Sequence, residues 1–249
     1  MRSVINQLGI TVMSVSMREK VKTCIKGLDE QMTGGIPQGH IVLISGMPGT
    51  MKSSVAYNIL FNNALEENRK GVYISLEQGR DSLIEHMTGL GMDHSKVESL
   101  VNIVDMGYLR LHMEEQASEQ QSWMDIFRMY AENLKANSDY ALLVIDSLPV
   151  LELLAGMKDH RGDLFHFFGW LRELGVTTFI VVEASADPSL VQDEDFLSDG
   201  IIRLKKERQG YDITRQIVID KMRGTKHSTG YFTLMHDGKE FQLTRVIGH

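Results

Sequence analysis

Residues 40–53 read His40-Ile41-Val42-Leu43-Ile44-Ser45-Gly46-Met47-Pro48-Gly49-Thr50-Met51-Lys52-Ser53. An apolar run, a glycine-containing turn and a Lys-Ser pair opening a helical pattern make up a phosphate-binding loop in all but one position. Backbone N–H groups of such a turn wrap a polyanion, and the helix N-terminus adds a favourable dipole. The candidate nucleotide-binding set is Gly46, Pro48, Gly49, Thr50, Met51, Lys52, Ser53 and Ser54. Lys52 is expected to reach the β- and γ-phosphates of ATP, and the Ser53 hydroxyl to ligate Mg2+. The departure is Met51, where the pattern has glycine; a side chain at positive φ costs roughly 1 kcal/mol or more. The alternative is a Gly-Pro turn that happens to precede a helix; the flanking strand and helix in this order favour the nucleotide reading.

Working outward, strand-like runs alternate with helical patterns. Helix 53–67 is followed by a strand at 71–77, a helix at about 81–90 and a strand at 101–105. Residues 107–120 are polar and read as a long loop, with a helix over 122–136 after it. A strand at 141–146, a helix from about 163 to 174 and a strand at 177–184 complete the series. Continuous apolar strands joined by helices predict an α/β fold with a mainly parallel twisted sheet covered on both faces. From about residue 200, runs at 201–208, 215–221 and 231–243 predict antiparallel hairpins, with turns at Gly210 and Asp237-Gly238.

Two strand ends carry carboxylates. Leu142-Leu143-Val144-Ile145-Asp146 ends beside the loop if the sheet is parallel, since ligands of open α/β sheets sit beyond the carboxyl ends of the strands. There Asp146 joins Ser53 as a candidate Mg2+ residue. Glu77 closes the strand in Ser75-Leu76-Glu77-Gln78 and is the candidate group to orient an in-line water. A helix-capping or salt-bridging glutamate would show the same spacing.

Composition sets bounds. With 249 residues, one domain with a large core is expected. The net charge of −7 argues against a general nucleic-acid coat. Residues 203–226 carry eight basic and three acidic residues, a net +5, against 16 basic and 28 acidic, a net −12, for residues 1–202. Such a segment needs an anionic partner or an acidic neighbouring surface. Cys24 is the one cysteine, so no intrachain disulfide forms and a cytoplasmic, reducing location is expected. No apolar run reaches the ~18–20 residues of a membrane span, and residues 1–20 make a poor signal peptide. Apolar residues within 1–16 fit an edge strand or a disordered tail equally well.

The nine histidines show no HExxH or Cys/His spacing, so a structural zinc is not expected. Ser147 lacks the Gly-x-Ser-x-Gly context of a nucleophile. Phe165, Phe167, Phe168 and Trp170 read as core or subunit contact.

From about Lys22 to Leu243 the chain resembles the KaiC-type branch of the RecA-like ATPases. The marks are Gly27-Leu28-Asp29-Glu30, Gly34-Gly35-Ile36-Pro37-Gln38-Gly39, the phosphate loop, and Ser75-Leu76-Glu77-Gln78. Val144-Ile145-Asp146-Ser147, Gly175-Val176-Thr177-Thr178 and Lys221-Met222-Arg223-Gly224-Thr225-Lys226-His227 follow, the last being the most discriminating. The resemblance implies a RecA-like P-loop ATPase domain over residues 21–249, after an N-terminal segment 1–20. It implies head-to-tail assembly into a homo-oligomer, usually a hexamer, with ATP between subunits. Glu77 would then be the catalytic glutamate, Lys221 and Arg223 would enter the neighbouring subunit's site as fingers, and Glu183 would couple nucleotide to fold. Gln78 replaces the second acid of the family's pair. Near Phe196-Leu197-Ser198-Asp199, where an autokinase would have adjacent Ser/Thr acceptors, the chain has Asp195-Phe196, so a solo archaeal or bacterial KaiC-like protein is the closer analogue, without clock function.

The expected function is Mg2+-dependent ATP binding and hydrolysis between subunits, with slow turnover, driving conformational signalling to an unidentified protein partner. The alternatives are an ATP-gated assembly switch with little hydrolysis and, less favoured, a RecA/RadA-like accessory on single-stranded DNA.

Overall fold

The computed structural model describes residues 19–108, 122–185 and 191–245. Nine strands form one sheet: β3 (Ile41–Gly46), β4 (Gly71–Ser75), β5 (Val101–Asp105), β6 (Leu142–Asp146), β7 (Thr177–Glu183), β8 (Gly200–Gln209), β9 (Asp212–Met222), β10 (Phe232–His236) and β11 (Phe241–Arg245). Their order is β11-β10-β9-β8-β3-β7-β6-β4-β5. The six strands from β8 to β5 run parallel, and β9, β10 and β11 add on antiparallel. A separate short pair joins β1 (Lys20–Val21) to β2 (Ile36–Pro37). The helices are α1 (Lys52–Glu67), α2 (Arg80–Gly89), α3 (Trp123–Ser138), α4 (Leu148–Ala155), α5 (His160–Leu174) and α6 (Asp193–Leu197).

Alternation along each strand builds two cores. Val42, Ile44, Tyr73, Leu142, Val144, Phe179 and Val181 face one side with the apolar residues of α1. Ile41, Leu43, Val72, Ile74, Leu143, Ile145, Ile180 and Val182 face the other, against Phe127 of α3 and Phe167 and Phe168 of α5. Strands buried on both faces read as unbroken apolar runs, which is why the parallel sheet was visible in sequence. The aromatic stretch divides accordingly: Phe167 and Phe168 are core, Trp170 packs against it, and Phe165 is exposed.

The family-marking residues near the N-terminus fix structure. Asp29 accepts hydrogen bonds from Thr23 N, Thr23 Oγ1 and Cys24 N at 2.8, 3.0 and 3.3 Å. At Gly35, φ is +125° and a Cβ would lie 2.5 Å from Val21 O. Thr177 Oγ1 accepts from Gly39 N at 2.9 Å, locking the start of β3 to β7.

Several boundaries differ from expectation. The helix expected from residue 163 begins at His160, because Asp159 accepts from Gly162 N and caps it. Helix α4 was not expected; Pro149 interrupts the apolar pattern, yet proline fits the first turn of a helix. Strand β8 is a member of the parallel sheet through β3 as well as the first arm of the C-terminal hairpin. The turns at Gly210 and Gly238 have φ of +62° and +92°. Of the loop expected at 107–120, residues 109–120 lie outside the described residues, as do 1–18 with the proposed edge strand or tail. Among the described residues, no helix is long and apolar enough to cross a membrane.

Candidate functional site

Parallel topology brings the carboxyl ends of β3, β4, β6 and β7 to one edge of the sheet. At that edge β3 turns through Met47, Pro48 and Gly49, which are exposed, into α1. Gly49 and Met51 have φ of +78° and +73°, and Thr50 between them does not. Left-handed residues alternating with right-handed ones make a concavity of backbone N–H groups. The strain expected at Met51 is therefore real. Its side chain compensates by packing on the core. At Gly46 a Cβ would meet Leu204 O at 2.5 Å, so only glycine lets β8 pass. Thr50 Oγ1 donates to Met47 O at 2.8 Å and closes the turn.

Lys52 Nζ lies in this turn, donating to Gly46 O at 2.7 Å and Met47 O at 3.3 Å. Burial lowers its pKa from the ordinary lysine value, against the opposing pull of Glu183, Asp146 and Glu77. Three strand-end carboxylates thus favour the charged form of this one ammonium. The Ser53 hydroxyl, at the start of α1, is close enough to Asp146 to favour its ionised form, so the two candidate metal residues share one neighbourhood. Tyr73 Oη also donates to Asp146. Burial raises the Asp146 carboxyl above its usual value, and the Tyr73 and Ser53 hydrogen bonds oppose that rise. Hydroxyl and carboxylate oxygens suit a hard cation. No cluster of three or more His, Cys, Asp or Glu able to hold a metal occurs among the described residues. Mg2+ needs none, since it keeps several waters and takes one or two protein oxygens plus phosphates.

Glu77 is exposed one step beyond Leu76, and Ser147 Oγ donates to its Oε1. Gln78 turns to α2, where Nε2 donates to Ser82 Oγ at 2.8 Å.

Lys221 and Arg223 are not part of this edge. In the β3-β8-β9 register, Gly46 faces Leu204 and Ile217, whereas Val42 faces Gly200 and Met222. Four residues of β3 and of β8 separate the two levels, roughly 13 Å at about 3.3 Å each. Lys221 Nζ donates to the carbonyls of Asp195 and Ser198 at 2.8 and 2.7 Å. Arg223 Nη1 bonds Asp199 Oδ1 at 3.1 Å, and its carbonyl lies 3.0 Å from His40 Nε2. Both cations are held by partners of their own chain, away from the phosphate loop.

The basic segment supplies two residues that were counted in sequence only as charge. Arg215 Nε donates to Gly49 O at 3.2 Å, and Lys206 Nζ would be 3.3 Å from a Cβ placed on Gly49. Their signal was the +5 cluster, but the pairing of β8 with β3, which lays them over the loop, was not legible. Arg203 is spent on Asp195 and Asp220, at 3.0 and 2.7 Å. Lys205 lies over the Tyr231 ring at 4.1 Å. Beside the loop a cavity of about 670 Å³ is lined by Met51, Ser54, His86, Leu90, Arg215 and His236, among others.

The family model described as "ATPase: KaiC" matches residues 21–237. The chain belongs to the KaiC ATPase family. It is 29% identical over 233 residues to the circadian clock oscillator protein KaiC 1 of Synechocystis, covering 88% of this chain and 43% of that one. The KaiC-family chain thus spans less than half the length of the clock protein. A UPF0273 protein of Thermotoga maritima is 32% identical over 226 residues, with 85% and 90% of the two chains covered. The crystal structure of the KaiC-like protein PH0186 from Pyrococcus horikoshii superposes with a TM-score of 0.78 at 28% identity, covering 91% of this chain and 99% of that one. The fold is that of a single KaiC-like, RecA-like ATPase unit, and nucleotide binding is the activity this family membership supports.

Proposed function

We propose that the chain binds ATP with Mg2+ and hydrolyses it slowly between copies of itself, passing the change to a partner protein. The observation that carries this reading is one sheet edge that gathers Lys52 in the loop, Ser53, Asp146 and Glu77. Backbone N–H groups of the loop, all but Pro48 between Gly46 and Ser54, bind the phosphates, and Lys52 leaves its carbonyl partners for the β- and γ-phosphate oxygens. Ser53 and Asp146 would hold Mg2+, which supplies neutralisation of charge on the transferred phosphoryl group. Glu77, kept in place by Ser147, orients the attacking water. Lys206 and Arg215 add positive charge over the loop from within the chain, and the base occupies the cavity lined by Met51, His86 and His236.

Lys221 and Arg223 complete the site of the next copy, in a ring of six as the resemblance implies. Their distance from their own chain's loop supports this assignment. Residues 21–249 act as a single ATPase domain after segment 1–20, and the lone Cys24 fits a cytoplasmic setting. Arg203, Lys205, Arg208, Lys221 and Arg223 have partners in the chain and Lys206 and Arg215 lie at the phosphate loop, which weakens the single-stranded DNA reading.

Calorimetric titration of ATP with Mg2+ tests the proposal, alongside phosphate release. Lys52→Ala is expected to weaken binding at least ~10-fold, as loss of a charged contact of ~1.5–3 kcal/mol does. Equal binding by this variant would remove the loop as the site. Binding without phosphate release would favour the assembly-switch reading, for which the positive φ of Met51 and the outward turn of Gln78 are the supporting observations.

A further inference from the structure

Asp146 carries a donor for which the phosphate-loop pattern gives no reason. Tyr73, in the middle of β4, is fully buried, and its hydroxyl donates to Asp146 Oδ2. In the β4–β6 register Tyr73 faces Val144 and Ser75 faces Asp146, so the phenol reaches diagonally across the two strands to the strand end. The ring is itself held. Tyr57 of α1 lies 5.9 Å away between centroids, and the Tyr57 hydroxyl is 2.8 Å from His94 Nδ1. Tyr57 and His94 are buried as well. A phenylalanine at 73 would fill the same apolar space; the hydroxyl has Asp146 as its partner.

We propose that Tyr73 is a positioning residue for the Mg2+ site. It pins Oδ2 of Asp146, which leaves Oδ1 together with the Ser53 hydroxyl for the cation or its waters. This rests on the nucleotide reading given above. Groups that orient a metal ligand from behind commonly change metal affinity 10–100-fold when removed. Mg2+ demands near-ideal octahedral geometry, so a loosened carboxylate costs it more than it costs Mn2+.

The test measures metal binding to the protein–ADP complex, with Mn2+ followed by electron paramagnetic resonance and Mg2+ by competition. Wild type, Tyr73→Phe and Tyr57→Phe are compared, and ADP binding in EDTA and thermal stability are recorded for each. Tyr73→Phe is expected to raise the Mg2+ concentration at half-saturation roughly 10-fold, with a smaller rise for Mn2+. ADP binding in EDTA stays at the wild-type value. Tyr57→Phe, which removes an equally buried phenol from the same core, leaves metal half-saturation unchanged. Unchanged Mg2+ half-saturation in Tyr73→Phe, or an equal shift in Tyr57→Phe, overturns the proposal while the nucleotide reading stands. Wild type that binds no nucleotide overturns both. Should Tyr73→Phe fail to fold, Asp146→Ala is compared with Asp146→Ala/Tyr73→Phe, which has no stranded carboxylate oxygen. Equal metal affinities are expected there, and a further loss in the double variant shows that Tyr73 does not act through Asp146.

Discussion

Ser147 Oγ donates to Glu77 Oε1, so the strand end that carries Asp146 also holds the carboxylate at the end of the neighbouring strand. The residue proposed to orient water and the residue proposed to hold the metal shell are thereby joined through one backbone step, across paired strands β4 and β6. Glu77→Gln keeps the shape and the Ser147 contact but loses the charge. ATP binding should stay at the wild-type level while phosphate release falls ~10²–10⁴-fold, the range for a lost general base. Single-turnover assays with bound ATP check both halves.

Lys206 and Arg215 lie over Gly49 in the same chain, so their contribution does not require assembly. Arg215→Ala and Lys206→Ala should each weaken ATP binding about 3–10-fold at protein concentrations too low for association, as partly exposed charge contacts do. Fluorescence anisotropy with a labelled ATP checks this. Arg223→Ala should leave that monomer affinity untouched.

Met51→Gly removes a non-glycine residue from φ +73° and also a side chain that packs on the core. Relief of ~1 kcal/mol of backbone strain is offset by the lost apolar contact and by the extra freedom of glycine in the unfolded chain. Stability should change by less than about 1 kcal/mol, read from urea unfolding. A much larger loss would mean that the methionine side chain, not the backbone, sets the loop.

Near Glu183, in a second cavity of about 570 Å³, His160 sits between Glu152 and Asp193, with Nε2 3.2 Å and Nδ1 3.5 Å from their carboxylates. Burial opposes its charged form, but Glu152 and then Asp193 outweigh it and hold its pKa above the ordinary histidine value. The stabilisation from this imidazolium is therefore complete below about pH 6.5 and is lost as pH rises through the higher folded value. Glu152→Gln should move the His160 midpoint down, followed by its proton resonances in an NMR titration.

The sheet was legible because strands covered on both faces leave unbroken apolar runs at 41–46, 71–75 and 142–146. The place of Asp146 at the end of β6 followed from a strand-end rule that depends only on parallel topology. Tyr73 was not legible as a polar residue of the site, since within Val72-Tyr73-Ile74 it reads as one more core side chain. Lys206 and Arg215 were hidden for another reason: their place over the loop depends on β8 lying beside β3, a pairing across more than 150 residues of chain. Helix α4 was masked by Pro149.

The most direct test of shared-site hydrolysis is ATP turnover per subunit against protein concentration with Mg2+, wild type beside Arg223→Ala. The account predicts turnover per subunit that rises with concentration to a plateau in wild type and is suppressed in Arg223→Ala at full assembly. Turnover independent of concentration, and unchanged in Arg223→Ala, would contradict it.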